Sequence, residues 1–237
     1  MRPCDLGWRA VAREATTFGH GLPRASAAFE HRALFDCATR ALDVLLALLF
    51  LVAFSPVILL AIVAIRLETP GPALYRQERM GRKGRIFSLL KLRGMYVDAP
   101  QRFPSLYDHQ ATAGEDTAAM YFHRANDPRL TNVGRFLRKH SFDELPNFWN
   151  VLLGDMSIVG PRPEIPELAH LYGSSLGALL SVRPGITSPS KARGRDMLSF
   201  EETLARDLEY VRNRSLALNV RTIAETALTA FRGVGVR

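Results

Sequence analysis

The sequence predicts a mainly helical α/β fold in which a long apolar segment precedes a compact domain with a small sheet. Residues 44–65 carry no charge and are long enough to reach across a bilayer core of roughly 30 Å. Helical patterns fill most of the chain beyond residue 130, and two strand-like segments flank a basic glycine turn within residues 69–95. Neither a GxGxxG nor a GxxxxGKS/T motif occurs, so no Rossmann fingerprint or P-loop is predicted.

The composition favours an anionic partner. The 237 residues are 47% hydrophobic and carry a formal net charge of +8, which suits nucleic acid, an anionic lipid surface or a phosphorylated small molecule. Cys4 and Cys37 lie outside any metal-binding spacing, so we expect reduced thiols and a cytoplasmic setting. The six histidines include no HExxH motif, and a zinc site is not predicted.

The apolar segment VLLALLFLVAFSPVILLAIVAI is interrupted at its centre by Ser55-Pro56. Proline removes one backbone donor and clashes with the preceding turn, so we expect the helix to break or kink there. Arg32 and Arg40 precede the segment and Arg66 follows it, and basic flanks prefer the cytoplasm. A hairpin that enters and leaves on one face and a kinked single span both fit these features, whereas a buried core helix fits them less well.

The segments around the apolar one are predicted from turn signals and periodicity. The first 30 residues are dotted with arginine and predict a poorly ordered tail or a surface helix. Residues 69–95 predict a β-hairpin, and residues 98–126 a polar loop with one short helix. Residues 130–153 are predicted to be mostly helical.

Two further helices are predicted near the C-terminus. Ser199 and Glu202 form an S-x-x-E capping box that starts the first, and residues 215–231 form the second. Core packing explains both helices without a functional role. The apolar face of the first helix consists of Phe200, Leu204, Leu208 and Val211.

The stretch SFDELPNFWNVLLGDMSIVGPRPE combines an acidic pair with a stiff arginine loop. Ser141 and Glu144 have the spacing of a capping box, which places Asp143 in the first helical turn. Free amide groups and the helix dipole there stabilise an ionised carboxylate, which could attack phosphorus or hold a divalent cation. Arg162 lies between two prolines and offers a planar fork to phosphate oxygens. From spacing alone, ordinary helix capping is the simpler explanation of the acids.

Five segments together carry a resemblance to a known family. They are, in chain order, RALDVLLALLFLVAFSP, PGPALYRQERMGRKGRIF, KLRGM, DPRLTNVGRFLRKHSFDELPNFWNVLLGDMSIVGPRPE and RPGIT. These segments resemble the bacterial sugar transferases, the monotopic phosphoglycosyl transferases that act on polyprenyl phosphate. The resemblance covers about residues 32–235 and is most specific from Asp127 to Glu164.

The resemblance implies a reaction and its catalytic pair. Enzymes of this family transfer a sugar 1-phosphate from a UDP-sugar to undecaprenyl phosphate, giving undecaprenyl-diphosphate sugar and UMP. The family's acidic dyad falls on Asp143 and Glu144, with Asp143 as the nucleophile that forms a covalent phosphosugar intermediate. Both carboxylates are the expected ligands of a required Mg²⁺. The product initiates exopolysaccharide, capsule or other glycan assembly.

The resemblance also suggests which residues bind phosphate. The KLRGM element matches a family motif, and Asp127 and Arg129 match residues that hold the site together. About half of the basic residues around the site would be solvated surface in any case. The expected phosphate-binding and loop residues are Arg162, Lys91, Arg93, Arg79, Pro161 and Pro163.

The family architecture implies a membrane anchor and a location. It divides the chain into a basic tail (1–31), a re-entrant membrane helix broken at Ser55-Pro56 (32–66) and a cytoplasmic catalytic domain (67–237) with interfacial amphipathic helices. The expected location is the inner membrane, with the catalytic domain facing the cytoplasm. The bilayer, the UDP-sugar and undecaprenyl phosphate are the expected partners. Nucleic acid is not expected, and a homodimer or contacts with later glycosyltransferases are left open.

Some features depart from the family pattern. SPSKARGR follows RPGIT where many members have a glycine and an apolar run, which leaves the sugar and nucleotide preference open. The insertion at 98–126 is long, and Gly94 replaces a usual Thr or Ser. The alternative function is a non-catalytic membrane scaffold that recruits glycosyltransferases, and the intact pair Asp143-Glu144 argues against it.

Overall fold

A long N-terminal helix lies against a domain of short helices and two small sheets. The computed structural model describes residues 25–107, 127–194 and 198–232. This arrangement confirms the predicted mainly helical α/β fold. The tail residues 1–24 and most of the predicted insertion lie outside the described residues.

The elements follow one another in this order. The helices are α1 (Ala25–Glu68), α2 (Ala99–Arg102), α3 (Asn132–Lys139), α4 (Asn147–Leu153), α5 (Leu176–Leu179), α6 (Pro189–Gly194), α7 (Phe200–Asn213) and α8 (Leu216–Arg232). The strands are β1 (Leu74–Met80), β2 (Ile86–Leu92), β3 (Ser157–Val159) and β4 (Gly185–Thr187). Turns of 3₁₀ helix lie at Arg82–Gly84, Pro104–Leu106, Phe142–Glu144 and Pro166–Ser175.

Helix α1 continues through Ser55 and Pro56, where the sequence predicts a break. Proline has no N–H, so Pro56 leaves the carbonyl oxygen of Val52 without its usual amide donor. The Ser55 hydroxyl donates to this oxygen at 2.8 Å and supplies a replacement hydrogen bond. Helical structure is therefore retained at this position, which excludes an unwound break, and the serine beside the proline gives the physical reason. The alternative expectation, a kink at Pro56 within a continuous helix, stays a prediction.

Both flanks of the apolar segment contact the same domain. Before the segment, Arg40 donates to carbonyl oxygens at the C-terminal end of α4 at 2.6 and 3.0 Å. Asp43 accepts hydrogen bonds from the Ser157 hydroxyl and the Ile158 amide of β3, both at 2.8 Å. After the segment, the Glu68 carboxylate accepts from the first amides of α3 at 2.7 and 3.0 Å. Hydrogen bonds therefore fix both ends of the segment to one domain.

The opposite face of α1 is apolar and exposed. In the part of the chain that the structure describes, the stretch Leu34–Glu68 is the one helix long and apolar enough to cross a membrane. Only 11% of its most apolar window is buried. A continuous apolar surface of this kind requires a lipid or protein partner. Its exposed residues include Leu45, Leu48, Leu49, Val52, Leu59, Leu60 and Val63.

The predicted β-hairpin is confirmed. Strands β1 and β2 pair antiparallel, with Tyr75 opposite Lys91 and Arg79 opposite Phe87. Their connection needs a left-handed residue at Lys83, which has a φ of 60°. Because side chains alternate along a strand, Tyr75, Arg79 and Lys91 share one face of the hairpin. This face borders the candidate site.

Strands β3 and β4 form a separate parallel pair, with Ser157 opposite Gly185. A Cβ atom on Gly185 would lie 2.1 Å from the amide nitrogen of Gly160, so the close approach of the two chains needs glycine there. The carboxyl ends of parallel strands lie at the same edge of a sheet. The Pro-Arg-Pro loop after β3 and helix α6 after β4 are therefore neighbours.

The two helices predicted near the C-terminus are confirmed as α7 and α8. Ser199 accepts from the Glu202 amide, and Glu202 accepts from the Ser199 amide, which completes the capping box of α7. Phe200, Leu204 and Leu208 pack against a cluster that contains Tyr172. The fourth residue predicted on this face, Val211, packs instead against the cluster that contains Val151 and Phe87.

Candidate active site

The acidic pair lies in the 3₁₀ turn Phe142–Glu144 between α3 and α4. Ser141 precedes the turn with a φ of 58°, and its side chain makes no capping hydrogen bond. The predicted Ser141–Glu144 capping box is therefore wrong. A capping residue needs extended backbone, whereas Ser141 is left-handed, and two lysines bind the carboxylate that would complete the box.

Two lysines bind Glu144. Lys91 of β2 lies 3.4 Å from Oε1, and Lys191 of α6 makes a short ion pair with Oε2. Lys191 also donates to the Ile186 carbonyl at 2.9 Å, which fixes its ammonium group beside the carboxylate. Burial opposes the ionisation of Glu144, but the ammonium groups of Lys191 and Lys91 outweigh it and hold the pKa well below its usual range. Glu144 is therefore ionised at neutral pH.

Asp143 has the opposite electrostatic setting. Burial raises its pKa, and the negative charge of Glu144 adds to the rise, although nearby lysines act against it. The Asp143 side chain lines a cavity. Among the described residues, none makes a hydrogen bond to its carboxylate. The pair therefore combines one carboxylate held by cations with one that is available for chemistry.

The cavity around the pair has a volume of about 870 Å³. A volume of this size suits a nucleotide-sized ligand. Pro161 is buried outside the cavity lining, and its carbonyl accepts a hydrogen bond from the Gly185 amide at 2.8 Å, so it supports the loop. The predicted site residues that line the cavity are Asp143, Glu144, Lys91, Arg93, Arg79, Arg162 and Pro163.

The Pro161–Pro163 loop is held on two sides. Arg79 donates to the Pro163 carbonyl at 2.9 Å, and the Arg162 amide donates to the Asp207 carboxylate of α7 at 3.2 Å. Burial and the nearby charge of Arg162 lower the pKa of Arg79 to about 10, which leaves it protonated at neutral pH. Arg79 and Arg162 thus add two fixed positive charges to the cavity that contains the acidic pair.

Arg93 has a different environment from the other predicted phosphate-binding residues. Its guanidinium donates to the Pro70 carbonyl at 2.7 Å and to the carbonyl and hydroxyl oxygens of Thr69 at 2.8 and 2.7 Å. These acceptors follow directly after α1. The structure therefore gives Arg93 a role in fixing the C-terminal end of the long helix, and its side-chain donors are directed to backbone oxygens.

A second ion cluster supports the turn that precedes α3. Arg129 binds both oxygens of the buried Asp127 at 2.8 and 2.7 Å, and Arg138 lies 3.7 Å from the same carboxylate. The Arg129 guanidinium also lies over the Tyr107 ring at 5.2 Å. Because Arg129 and Arg138 both line the cavity, this cluster fixes one of its walls.

Sequence reasoning missed two residues of the site, Lys191 and Asp207. Asp207 accepts from the Ser190 hydroxyl at 2.7 Å, and this bond links α7 to the helix that carries Lys191. Lys191 lies 47 positions from Glu144, its acceptor, so spacing could not connect them. The signal that was present is the position of SPSK directly after RPGIT, at the end of a strand beside the Pro-Arg-Pro loop.

Asp143 is better placed than Glu144 to hold the predicted Mg²⁺. Across residues 25–107, 127–194 and 198–232, no group of three or more His, Cys, Asp or Glu side chains is arranged to hold a metal ion. Mg²⁺ is often held by one or two carboxylates together with substrate phosphates, so an acidic pair in a cationic cavity fits. Asp143 is available as a ligand, whereas both Glu144 oxygens are bound by lysines.

A family comparison identifies the class of protein to which this site belongs. The model of the family described as "Bacterial sugar transferase" matches residues 34–233. The chain belongs to the bacterial sugar transferase family. The matched range includes the apolar part of α1, the hairpin, the acidic turn and the Pro-Arg-Pro loop. The family resemblance predicted from the motifs is therefore confirmed.

Individual relatives of this sugar transferase agree with that placement. The exopolysaccharide production protein ExoY of Sinorhizobium fredii is 34% identical over 92% of this chain and 95% of its own length. The galactosyl transferase CpsE of Streptococcus agalactiae is 37% identical, and the match covers 84% of this chain but 43% of CpsE. The UDP-glucose:undecaprenyl-phosphate glucose-1-phosphate transferase of Caulobacter vibrioides is 37% identical over 82% of this chain and 70% of its own length. The chain thus spans less than half of CpsE and nearly all of ExoY.

Proposed function

We propose that this protein is a phosphoglycosyl transferase that moves a sugar 1-phosphate from a UDP-sugar to undecaprenyl phosphate. The products would be undecaprenyl-diphosphate sugar and UMP. The observation that carries the proposal is the pair Asp143-Glu144 in a cavity that also contains Lys91, Arg162 and Lys191. The name of the Caulobacter relative, a UDP-glucose:undecaprenyl-phosphate glucose-1-phosphate transferase, supports this substrate pair.

In the first half-reaction, an oxygen of the Asp143 carboxylate attacks the phosphorus that carries the sugar. A carboxylate–phosphorus bond forms, the bond from that phosphorus to the bridging diphosphate oxygen breaks, and UMP leaves with the bridging oxygen. Arg162 and Arg79 lie where they can neutralise charge that develops on the phosphate oxygens. Asp143 must be ionised to attack, so binding of cations beside it would favour the reactive form.

In the second half-reaction, a phosphate oxygen of undecaprenyl phosphate attacks the same phosphorus. The bond to Asp143 breaks, its carboxylate is restored, and the new diphosphate links lipid and sugar. Lys91 and Lys191 can release Glu144 and contact phosphate oxygens, since an ammonium group is a mobile point charge with three donors. Mg²⁺ held by Asp143, and by Glu144 once a lysine releases it, would supply charge neutralisation for both phosphates.

We propose a monotopic attachment in which α1 enters the bilayer and returns on the side of the domain. Its support is the contact of both flanks, Arg40 with Asp43 before the apolar segment and Glu68 after it, with one domain. A single span with its tail outside would separate these contacts by the thickness of a membrane. The acceptor phosphate would then meet the cavity at headgroup level, on the cytoplasmic side of the inner membrane.

Helices α3 and α4 are the proposed interfacial elements. Both pack against α1, and Phe50 of α1 stacks on Phe148 of α4 with ring centroids 4.9 Å apart. They expose large apolar side chains beside the membrane helix, which is typical of helices that lie in the headgroup region. These exposed side chains are Phe136, Trp149 and Leu153.

The reaction is tested by UMP release from purified protein in lipid nanodiscs. The assay contains undecaprenyl phosphate, Mg²⁺ and one UDP-sugar at a time, with Asp143→Asn as the matched variant. We expect release with at least one sugar, and loss of release in the variant and after chelation. Absence of release with every donor, from protein that is folded and membrane-bound, would favour a non-catalytic scaffold instead.

The attachment is tested through Cys37, which is exposed just before the apolar segment. In a Cys4→Ser background, a membrane-impermeant maleimide is applied to spheroplasts and to inverted inner-membrane vesicles. We expect labelling only in the inverted vesicles, because both flanks lie on the cytoplasmic side. Labelling in intact spheroplasts would show that α1 crosses the membrane.

A further inference from the structure

We propose that Lys191 is a positioning residue whose ammonium group pairs with the Glu144 carboxylate in the free protein. A divalent cation then enters the site with the diphosphate substrate and not before it. The inference rests on the proposed function and adds to it a residue and an order of binding. Its basis is the ion pair between Lys191 and Glu144, together with the bonds that fix the lysine in place.

The ammonium group of Lys191 is held at a defined point in the site. It donates to Glu144 Oε2 and, at 2.9 Å, to the Ile186 carbonyl. The Lys191 and Glu144 side chains are each only 19% exposed, so water screens the pair weakly. Lys91 approaches the other carboxylate oxygen at 3.4 Å. A metal ion that binds Glu144 must therefore displace an ammonium group or share a carboxylate oxygen with it.

The backbone that carries Lys191 is also fixed. The Lys191 amide donates to the Ser188 hydroxyl at 3.1 Å, and the Ser188 and Ser190 hydroxyls lie 2.7 Å apart. Ser190 in turn donates to the buried Asp207 carboxylate at 2.7 Å. This chain of bonds ties the start of α6 to α7. Lys191 is thus a component of a built site and not a mobile surface lysine that meets Glu144 by chance.

Competition between Lys191 and a divalent cation follows from charge. A cation coordinated by Glu144 would lie a few ångströms from one or two ammonium groups, and like charges at such distances repel strongly in a partly buried site. A diphosphate changes this balance, because its oxygens both ligate the cation and accept hydrogen bonds from the lysines. The free protein should therefore bind a divalent cation weakly, and the complex with a diphosphate should bind it tightly.

The test measures Mn²⁺ binding by electron paramagnetic resonance on the full chain in nanodiscs without any sugar donor. We expect Lys191→Gln and Lys191→Met to bind Mn²⁺ about tenfold or more tightly than the unaltered protein, because removing one unit charge this close changes a divalent-ion affinity by at least that much. Lys191→Arg keeps the charge and should remain weak. Arg212→Gln removes an exposed charge on α7 outside the cavity lining and is the matched control.

A second background tests the role of Glu144 itself. In Glu144→Gln protein, Lys191→Gln should tighten Mn²⁺ binding clearly less, because no Glu144 carboxylate is left to release and only the repulsion of a cation at Asp143 is removed. Addition of UDP should tighten Mn²⁺ binding by the unaltered protein more than by Lys191→Gln. Equal Mn²⁺ affinities in the unaltered protein and Lys191→Gln, or a gain of the same size without Glu144, would overturn the inference. UMP release tests the proposed reaction independently of these binding data.

Discussion

Gly134 in the first turn of α3 provides a sharp test of the packing around the site. Replacing it with alanine would favour the helix by up to about 1 kcal/mol if propensity alone decided the outcome. The structure predicts the opposite sign. A Cβ atom on Gly134 would lie 1.9 Å from the carbonyl oxygen of Gly94, a backbone atom that cannot rotate away.

The cost follows from the distances involved. Relief of the contact to about 3 Å requires α3 and the Gly94 segment after β2 to separate by more than 1 Å. This movement would also break the 3.0 Å hydrogen bond from the Thr131 amide to the Gly94 carbonyl. Overpacking costs about 1–3 kcal/mol and the lost bond about 1 kcal/mol, which leaves a net destabilisation of roughly 2 kcal/mol after the helix gain.

The assay is thermal unfolding of purified protein in detergent, followed by tryptophan fluorescence. A net loss of roughly 2 kcal/mol corresponds to a fall in Tm of about 4–8 °C for a chain of this size. Gly94→Ala is the matched control at the same crossing, because its Cβ atom would find its nearest neighbour at 3.5 Å, an ordinary contact. An unchanged or higher Tm for Gly134→Ala, or an equal fall in both variants, would refute the packing argument.

Three further predictions concern arginine roles and pH. Arg93→Met removes the donors to the Thr69 and Pro70 oxygens and should lower Tm without raising KM for the UDP-sugar; an unchanged Tm with a raised KM would contradict it. Arg162→Gln should lower kcat/KM about 100-fold, as expected for a lost phosphate contact. Its Tm should stay nearly constant, because the backbone amide of residue 162 holds the loop. A large fall in Tm with normal kinetics would contradict this prediction. Burial raises the pKa of Asp207 to about 6, so the folded state holds this proton more tightly than the unfolded chain. Stability from this group should fall by roughly 2–3 kcal/mol between about pH 4 and pH 6, and a melting series that shows the same slope in Asp207→Asn would refute it.

Local signals predicted the elements that depend on local interactions. The capping box at Ser199 and Glu202 formed because its two partners are three residues apart, within reach of each other's amide groups. The β-hairpin formed because strand propensity and a glycine turn agree. The same reasoning failed at Ser141, where the spacing was right but Lys91 and Lys191 provide stronger partners for the Glu144 carboxylate.

The features that the sequence could not predict come from contacts between distant parts of the chain. Arg93 has the residue type of a phosphate ligand, yet its guanidinium satisfies carbonyl oxygens after α1, which lie more than 20 residues earlier. Ser55-Pro56 predicted a break or a kink, and the serine hydroxyl compensates the carbonyl that proline leaves, so an unwound break is not needed. The position of Asp143 beside cations was expected. The ion pair of Lys191 with Glu144 could not be predicted, because it depends on the fold that places α6 next to the acidic turn.

The most direct test of the central claim is the mass of the protein after incubation with its UDP-sugar and Mg²⁺ in the absence of undecaprenyl phosphate. The account predicts an increase equal to one sugar phosphate, located on the peptide that contains Asp143, absent from Asp143→Asn and lost when undecaprenyl phosphate is added. UMP release with an unmodified protein mass under these conditions, or an adduct on a residue other than Asp143, would contradict the assignment of this carboxylate as the nucleophile.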